Sequence, residues 1–260
     1  MSYQDNVHQQ IITEFQAMES PDKWHEYSKQ QLNPILGKLN IAKCEMFAEY
    51  LNNRFMDAAL ACNAVQMKLK WHSVSNQDKI AFAQNIINTL IKILNSDIQN
   101  NRVTLYTNDG SVYTPTNDEF DRIYKQDISD YITNRLKITV LESDYGLMGL
   151  NKNGELKINL GWELYKSMDF FLMDLRHECM HLIDIFIPYI STLDPKVARI
   201  AIRYYIGGNN NQDFDTYYKT NPLELNANLK RREFRLLCKE KFANAAAAQV
   251  RDNAISNVRA

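Results

Sequence analysis

Apolar residues recur at helical spacing through most of the first hundred positions of the chain. Between residues 39 and 69, and again between residues 77 and 95, they fall three or four positions apart. An apolar stripe of this period forms the buried face of an amphipathic helix. We therefore predict a mainly helical region over residues 1–100, and it contains no recognisable functional motif.

The pattern changes near residue 100, where short β-prone runs replace the helical stripe. One pair of runs flanks Asn-Asp-Gly at residues 108–110, and a second pair, residues 146–150 and 155–160, flanks "NKNG". Such spacing is typical of β-hairpins. With a further strand in "KITVLES", the two hairpins predict a small, mostly antiparallel sheet.

Helices alternate with these strands. One is predicted over residues 116–136, with Thr116 or Asn117 as its N-cap, and another from about Ser167 to Phe186. The mixed order of helices and strands indicates an α+β fold.

The pattern divides the chain into three parts. We assign a helical region to residues 1–100, an α+β domain to residues 101–242 and an alanine-rich tail to residues 243–260. The tail is weakly amphipathic, so it is either an extended helix or a frayed end.

Composition and charge exclude several classes of protein. The chain is 45% hydrophobic with a formal net charge of −1, so it lacks the basic surplus of an electrostatic nucleic-acid binder. No run of about 18 apolar residues predicts a membrane span. The polar N-terminus lacks the apolar core of a signal peptide, and the scattered cysteines form no C-x-x-C pair. We expect cytoplasmic synthesis, with non-classical export and incorporation into a virion left open.

The strongest chemical signal is "LRHECMHLIDIF" at residues 175–186. Residues four apart on a helix lie above one another, so His177 and His181 present two imidazoles on one face. Neutral imidazole is a good zinc ligand. Glu178 lies about 100° around the helix from His177, where it can reach a metal-bound water without binding the metal.

The alternative is a core helix that carries these residues by coincidence. In a chain with five histidines, chance alone gives His-Glu-x-x-His about once in two hundred such chains. A single histidine on an apolar helix is usually structural, but two that bracket a glutamate are not the usual core pattern. The spacing therefore favours a Zn²⁺ site, for which a third protein ligand is expected.

The motif itself does not supply that third ligand. The metzincin extension H-E-x-x-H-x-x-G-x-x-H would require glycine and histidine where the chain has Asp184 and Ile187, so it does not apply. The other histidines, His8, His25 and His72, all precede the strands and are poor candidates.

A second segment, "YYKTNPLELNANLKRREF", follows the motif. Together the two resemble the gluzincin group of zincin metallopeptidases, in which a tyrosine precedes Asn-Pro-x-Glu and a small residue follows the glutamate. The resemblance extends over about residues 146–234, and the matching residues of the second segment are Tyr218, Asn221, Pro222, Glu224 and Ala227.

The resemblance implies a zincin-like domain with two metal-bearing helices. Glu224 would be the third zinc ligand beside His177 and His181, and Glu178 would be the general base. The residue types agree, because Asn221 is a fair N-cap that places Glu224 in the first turn of a helix. A first-turn glutamate favoured only by the helix dipole is the alternative.

The resemblance also implies how a substrate would be held. Tyr218, or its neighbour Tyr217, would donate a hydrogen bond to the oxyanion, and a packing role is the alternative. Zincins place an edge strand just before the motif helix, and Leu156–Leu160 is at that position. An extended peptide would pair with its free backbone groups.

Several polar residues near the two motifs have open roles. Asp184 is one turn after His181 and could accept the free N–H of a ligand imidazole. Asp174 is either a similar supporting group or an exposed charge. Arg231 and Arg232 follow Glu224 and would bind a substrate carboxylate or lie in solvent.

The sequence thus predicts an α+β enzyme that uses zinc to hydrolyse a protein or peptide substrate, with no nucleic-acid or membrane partner. Two alternatives stay open. The chain is a virion or assembly component with a structural or vestigial zinc site, or it is a translocated effector protease that acts on a partner protein.

Overall fold

The computed structural model describes residues 41–107, 111–115, 117–142, 147–150, 156–187, 189–191 and 221–259. Within these ranges the chain is mostly helical with one small sheet, in agreement with the α+β prediction. The helices are α1 (Ile41–Ala61), α2 (Ala64–Lys70), α3 (Asn76–Gln99), α4 (Asp118–Asp130), α5 (Met168–Phe186), α6 (Pro222–Asn228) and α7 (Arg231–Arg259). The strands are β1 (Ile138–Glu142), β2 (Leu147–Leu150) and β3 (Leu156–Leu160).

The predicted helices of the first half are present, with one interruption. The apolar stripe of residues 39–69 is divided between α1 and α2 at Asn63, which has a left-handed backbone with φ of 60°. Asparagine tolerates this conformation better than most residues. Helix α3 begins after Ser75, whose hydroxyl accepts a hydrogen bond from the Asp78 N–H, and it extends beyond the predicted residue 95.

The N-terminal helices contact the segment that leads into the motif helix. The Trp71 indole is 2% exposed and donates to the Lys166 carbonyl at 2.7 Å. The buried Lys79 ammonium donates to the Leu164 carbonyl at 2.8 Å. Both bonds fix the chain directly before α5 begins at Met168.

The sheet has the order β1–β3–β2, with β1 and β3 parallel and β2 and β3 antiparallel. The predicted hairpin around "NKNG" is confirmed, but the prediction of a mostly antiparallel sheet is wrong. The three strands alternate in direction along the chain, so β1 and β3 run in the same direction. Because the order β1–β3–β2 places these two strands side by side, they pair in parallel. The prediction of Leu156–Leu160 as an edge strand is also wrong, because β3 is the central strand.

Of the first predicted hairpin, the described residues show one isolated bridge. Tyr106 and Val112 form an isolated antiparallel bridge, and the Tyr113 N–H donates to the Leu105 carbonyl at 2.8 Å. The tip, residues 108–110, lies outside the described residues.

The outer edge of β1 is covered by a side chain of α3. The Val140 N–H donates to Gln84 Oε1 at 2.9 Å, and Gln84 Nε2 donates to the Ile138 carbonyl at 3.2 Å. One side-chain amide therefore replaces the hydrogen bonds that a neighbouring strand would make. Among the described residues, no strand pairs with the outer edge of β2.

One hydrophobic core connects the helical half to the sheet and the motif helix. It includes five fully buried side chains: Phe55 of α1, Ile86 of α3, Ile158 of β3, Phe171 of α5 and Phe234 of α7. The boundary at residue 100 stays a prediction, and the helices before it share this core with the elements after it.

The alanine-rich tail belongs to a helix. Helix α7 continues without interruption from Arg231 to Arg259, so the extended-helix alternative describes the tail. In the part of the chain that the structure describes, no helix is long and apolar enough to cross a membrane.

We predict that Gln84→Ala lowers the free energy of unfolding by about 1–3 kcal/mol, because it leaves two backbone groups of β1 without partners. Urea denaturation followed by circular dichroism would measure the change. Gln77→Ala in the same helix is the control, because Gln77 is exposed. Equal effects of the two substitutions would contradict the role given to Gln84.

Candidate metal centre

Helix α5 places both motif histidines in the interior. Its N-cap is Ser167, and its apolar residues Leu175, Cys179 and Leu182 are buried in the core. His177 and His181 are each 5% exposed, so both imidazoles leave water when the chain folds. Buried polar groups of this kind require partners, since an unpaired one costs about 1–3 kcal/mol.

Helix α6 supplies the third group. Asn221 caps it, because its side-chain oxygen accepts from the Leu223 N–H at 2.9 Å, and Pro222 occupies the first turn. Glu224 is in the same turn and is 2% exposed. Ala227 is fully buried, and α6 packs directly on α5 at this position.

The three groups converge on one point. The Nε2 atoms of His177 and His181 are 3.0 Å apart. Glu224 Oε2 lies 3.1 Å from His177 Nε2, and Glu224 Oε1 lies 3.3 Å from His181 Nε2. The ligand atoms of all three residues lie within 4.8 Å of one another. We call these three residues the triad.

Protonation in the triad is uneven. Burial and the neighbouring His181 lower the pKa of His177 to about 4, so His177 is neutral at pH 7. Burial also disfavours the charged form of His181, but its hydrogen bond to Glu224 outweighs this effect and raises its pKa. Burial alone would raise the pKa of Glu224, yet hydrogen bonds from the two imidazoles lower it. The triad therefore contains a carboxylate and at least one neutral imidazole, both suited to a cation.

The donor set fits a zinc ion. Two ligands at about 2.0–2.1 Å from a tetrahedral ion lie about 3.3–3.4 Å apart, close to the 3.0–3.3 Å between the triad atoms. Two imidazoles and one carboxylate are donors that suit zinc better than magnesium or calcium. Among the described residues, the Nδ1 atoms of both histidines have no hydrogen-bond partner, so protein hydrogen bonds satisfy the triad only in part.

Glu178 differs from its neighbours in exposure. It is partly exposed, whereas His177, Cys179, Met180 and His181 are buried. It follows His177 directly in the chain and is not one of the three groups of the triad.

The predicted hydrogen bond from an imidazole to Asp184 is absent. The Asp184 carboxylate instead accepts from Asn226 Nδ2 at 2.8 and 3.0 Å and from the Ser191 hydroxyl at 2.5 Å. Burial raises the pKa of Asp184 to about 6 against the effect of these bonds. Since Asn226 is two residues after Glu224, the contact joins α5 to α6.

Two other polar predictions have definite outcomes. Asp174 is not an exposed charge, because it is buried and pairs with Arg231 and, at 2.7 Å, with Lys166. Arg231 is thereby engaged within the protein, and Arg232 is exposed. Tyr218 and Tyr217 lie outside the described residues, as do His8 and His25.

Arg176 is a feature that the sequence analysis missed. It is fully buried and bonds to groups on α1 and α6, and burial lowers its pKa to about 10, so it is charged at pH 7. A charged residue in the apolar stretch directly before His177 was the available signal. Its partners could not be inferred, because Asn52 lies 124 positions away.

Comparisons of the chain with protein families, with curated proteins and with solved structures found no match. The assignment of the triad therefore depends on its own chemistry and geometry.

We predict that the chain binds one zinc ion, and that replacing His177 and His181 together by alanine abolishes binding, because one carboxylate alone cannot hold the ion. Elemental analysis after zinc loading and gel filtration would measure the stoichiometry. His72→Ala is the control, since His72 is exposed and distant from α5 in sequence. A wild-type chain without zinc after loading would refute the site.

We further predict that Glu224→Ala weakens zinc binding strongly, because it removes one of three ligands. Competition with a chelating dye would measure the dissociation constant. Glu233→Ala is the matched control: Glu233 is exposed at the start of α7 and contacts only Lys230 at 3.7 Å among the ion pairs of the described residues. Equal affinities of the two variants would show that Glu224 is not a ligand.

Proposed function

We propose that this chain is a zinc-dependent peptidase. The observation that supports the proposal is the triad, in which two imidazoles from one helix meet a carboxylate from another within 4.8 Å. An isolated structural zinc site usually has four protein ligands, whereas catalytic sites keep three and leave a position for water. The described part of this chain supplies three such groups, His177, His181 and Glu224.

Under this proposal the triad residues would hold the ion and Glu178 would move the proton. A zinc ion lowers the pKa of its bound water and polarises a carbonyl oxygen. Glu178 is partly exposed and follows His177 directly, and in this role its carboxylate would accept a proton from water. It would then pass that proton to the leaving amine. Tyr218 stays a candidate donor to the oxyanion.

The sheet suggests where an extended substrate would pair. Because β3 (Leu156–Leu160) is central, a substrate peptide would pair instead with β2, the outer strand that packs against α5. Gln84 already covers the outer edge of β1, so that edge is less suited to a peptide. A substrate strand added to β2 would take its affinity from backbone hydrogen bonds.

We predict that Glu178→Gln lowers peptide hydrolysis by about 10²-fold or more while zinc stays bound, because the substitution keeps the shape and removes the base. Cleavage of an unfolded protein, with products identified by mass spectrometry, and zinc content would be measured on the same preparations. Glu233→Gln is the isosteric control and should match the wild type in both.

Two outcomes would contradict parts of this proposal. Loss of zinc in Glu178→Gln would mean that Glu178 binds or supports the metal and is not the base. A zinc-loaded wild type that cleaves none of a broad panel of unfolded proteins would favour a structural site, as in the assembly-component alternative.

A further inference from the structure

Arg176 makes contacts in three directions from a fully buried position. Its Nη1 donates to the Ala227 carbonyl of α6 at 2.7 Å. Its Nε donates to Asn52 Oδ1 of α1 at 2.8 Å, and its Nη2 donates to the Ala48 carbonyl of α1 at 3.2 Å. One guanidinium thus connects α5, α6 and α1.

Asn52 extends this connection to the chain beyond α6. Its side chain is 3% exposed, and its Nδ2 donates to the Lys230 carbonyl at 3.1 Å. Lys230 has a left-handed backbone with φ of 56° in the turn between α6 and α7. A non-glycine residue is rarely found there, so the Asn52 bond helps to keep this turn in one conformation. The two ends of α6 are then fixed, by its Asn221 cap and by this turn.

The position of these bonds relates them to the triad. Arg176 directly precedes His177, and Ala227 is one turn after Glu224. The Arg176–Ala227 bond therefore sets the separation of α5 and α6 at the level of the three ligating groups. Among the described residues, this guanidinium donates to neutral carbonyl oxygens and forms no ion pair, so directional hydrogen bonds determine its place.

Packing alone would not require this arrangement. Burying a guanidinium has a large desolvation cost, and apolar residues of similar volume often stabilise a protein equally well. Directional bonds specify distances more closely than apolar contacts do, and metal ligands must be placed within about 0.5 Å of their working positions.

We propose that Asn52 and Arg176 are positioning residues through which helix α1 sets the place of Glu224 relative to His177 and His181. This inference depends on the metal site proposed above, and it gives the N-terminal helical region a role in that site.

The test uses the whole 260-residue chain with Asn52→Ala, which removes both bonds of the Asn52 side chain. We expect zinc affinity to fall about tenfold or more, as is usual when a group that orients a ligand is lost. The visible absorption spectrum of the Co²⁺-loaded protein should also change, because it reports the arrangement of the ligands around the ion. Zinc affinity would be measured by competition with a chelating dye.

Tyr50→Phe is the matched control on the same helix. Tyr50 donates to Asp97 at 2.8 Å in a separate network, which in the described part of the chain does not include α5 or α6. The Tyr50→Phe substitution should lower the urea midpoint of the metal-free protein and leave zinc affinity and the Co²⁺ spectrum unchanged. An affinity loss equal to that of Asn52→Ala would show that affinity follows general stability, and would overturn the proposal.

A folded Asn52→Ala variant with wild-type affinity and spectrum would also overturn it. If that variant does not fold, Arg176→Lys decides by the same criterion, because lysine keeps the charge but cannot reach three acceptors. Wild-type protein that binds neither Zn²⁺ nor Co²⁺ would refute the metal site itself, which is a different result from equal binding by wild type and variant.

Discussion

The close approach of α5 and α6 is the contact on which the candidate site depends. It brings two imidazoles and a carboxylate together in a space that excludes most water, where each polar group must find a partner within the protein. The three groups satisfy one another only in part, as the unpartnered Nδ1 atoms among the described residues indicate. Such a cluster is stable only if other contacts keep the helices in register.

Buried polar contacts on two sides of the triad supply that register. Asp184 binds Asn226 on one side, and Arg176 binds Ala227 on the other, so α5 and α6 are joined both before and after the two histidines of α5. Each hydrogen bond adds only about 0.5–1.5 kcal/mol net, but an unpaired charge at either place would cost more. The geometry is therefore specified by polar contacts, while the surrounding apolar core supplies most of the stability.

Local chemistry could be predicted from the sequence, whereas contacts between distant segments could not. The His177–His181 face and the Asn221 cap follow from helical periodicity and capping preferences, and both are present. The central position of β3 was missed because the alternation of residues within a strand carries no information about which strand lies beside it. The partner of Asp184 was misjudged for the same reason: spacing gives the face of a helix, but Asn226 comes from another helix 42 positions away.

The order of synthesis has a consequence for this site. Asn52 and Lys230 are in contact although 178 positions separate them, and Glu224 follows His181 by 43 residues of the chain. Contacts of such long range form late in folding, since loop closure must come first. A nascent chain that has emerged only as far as the two histidines lacks the carboxylate, so the triad cannot assemble until residue 224 has also left the ribosome.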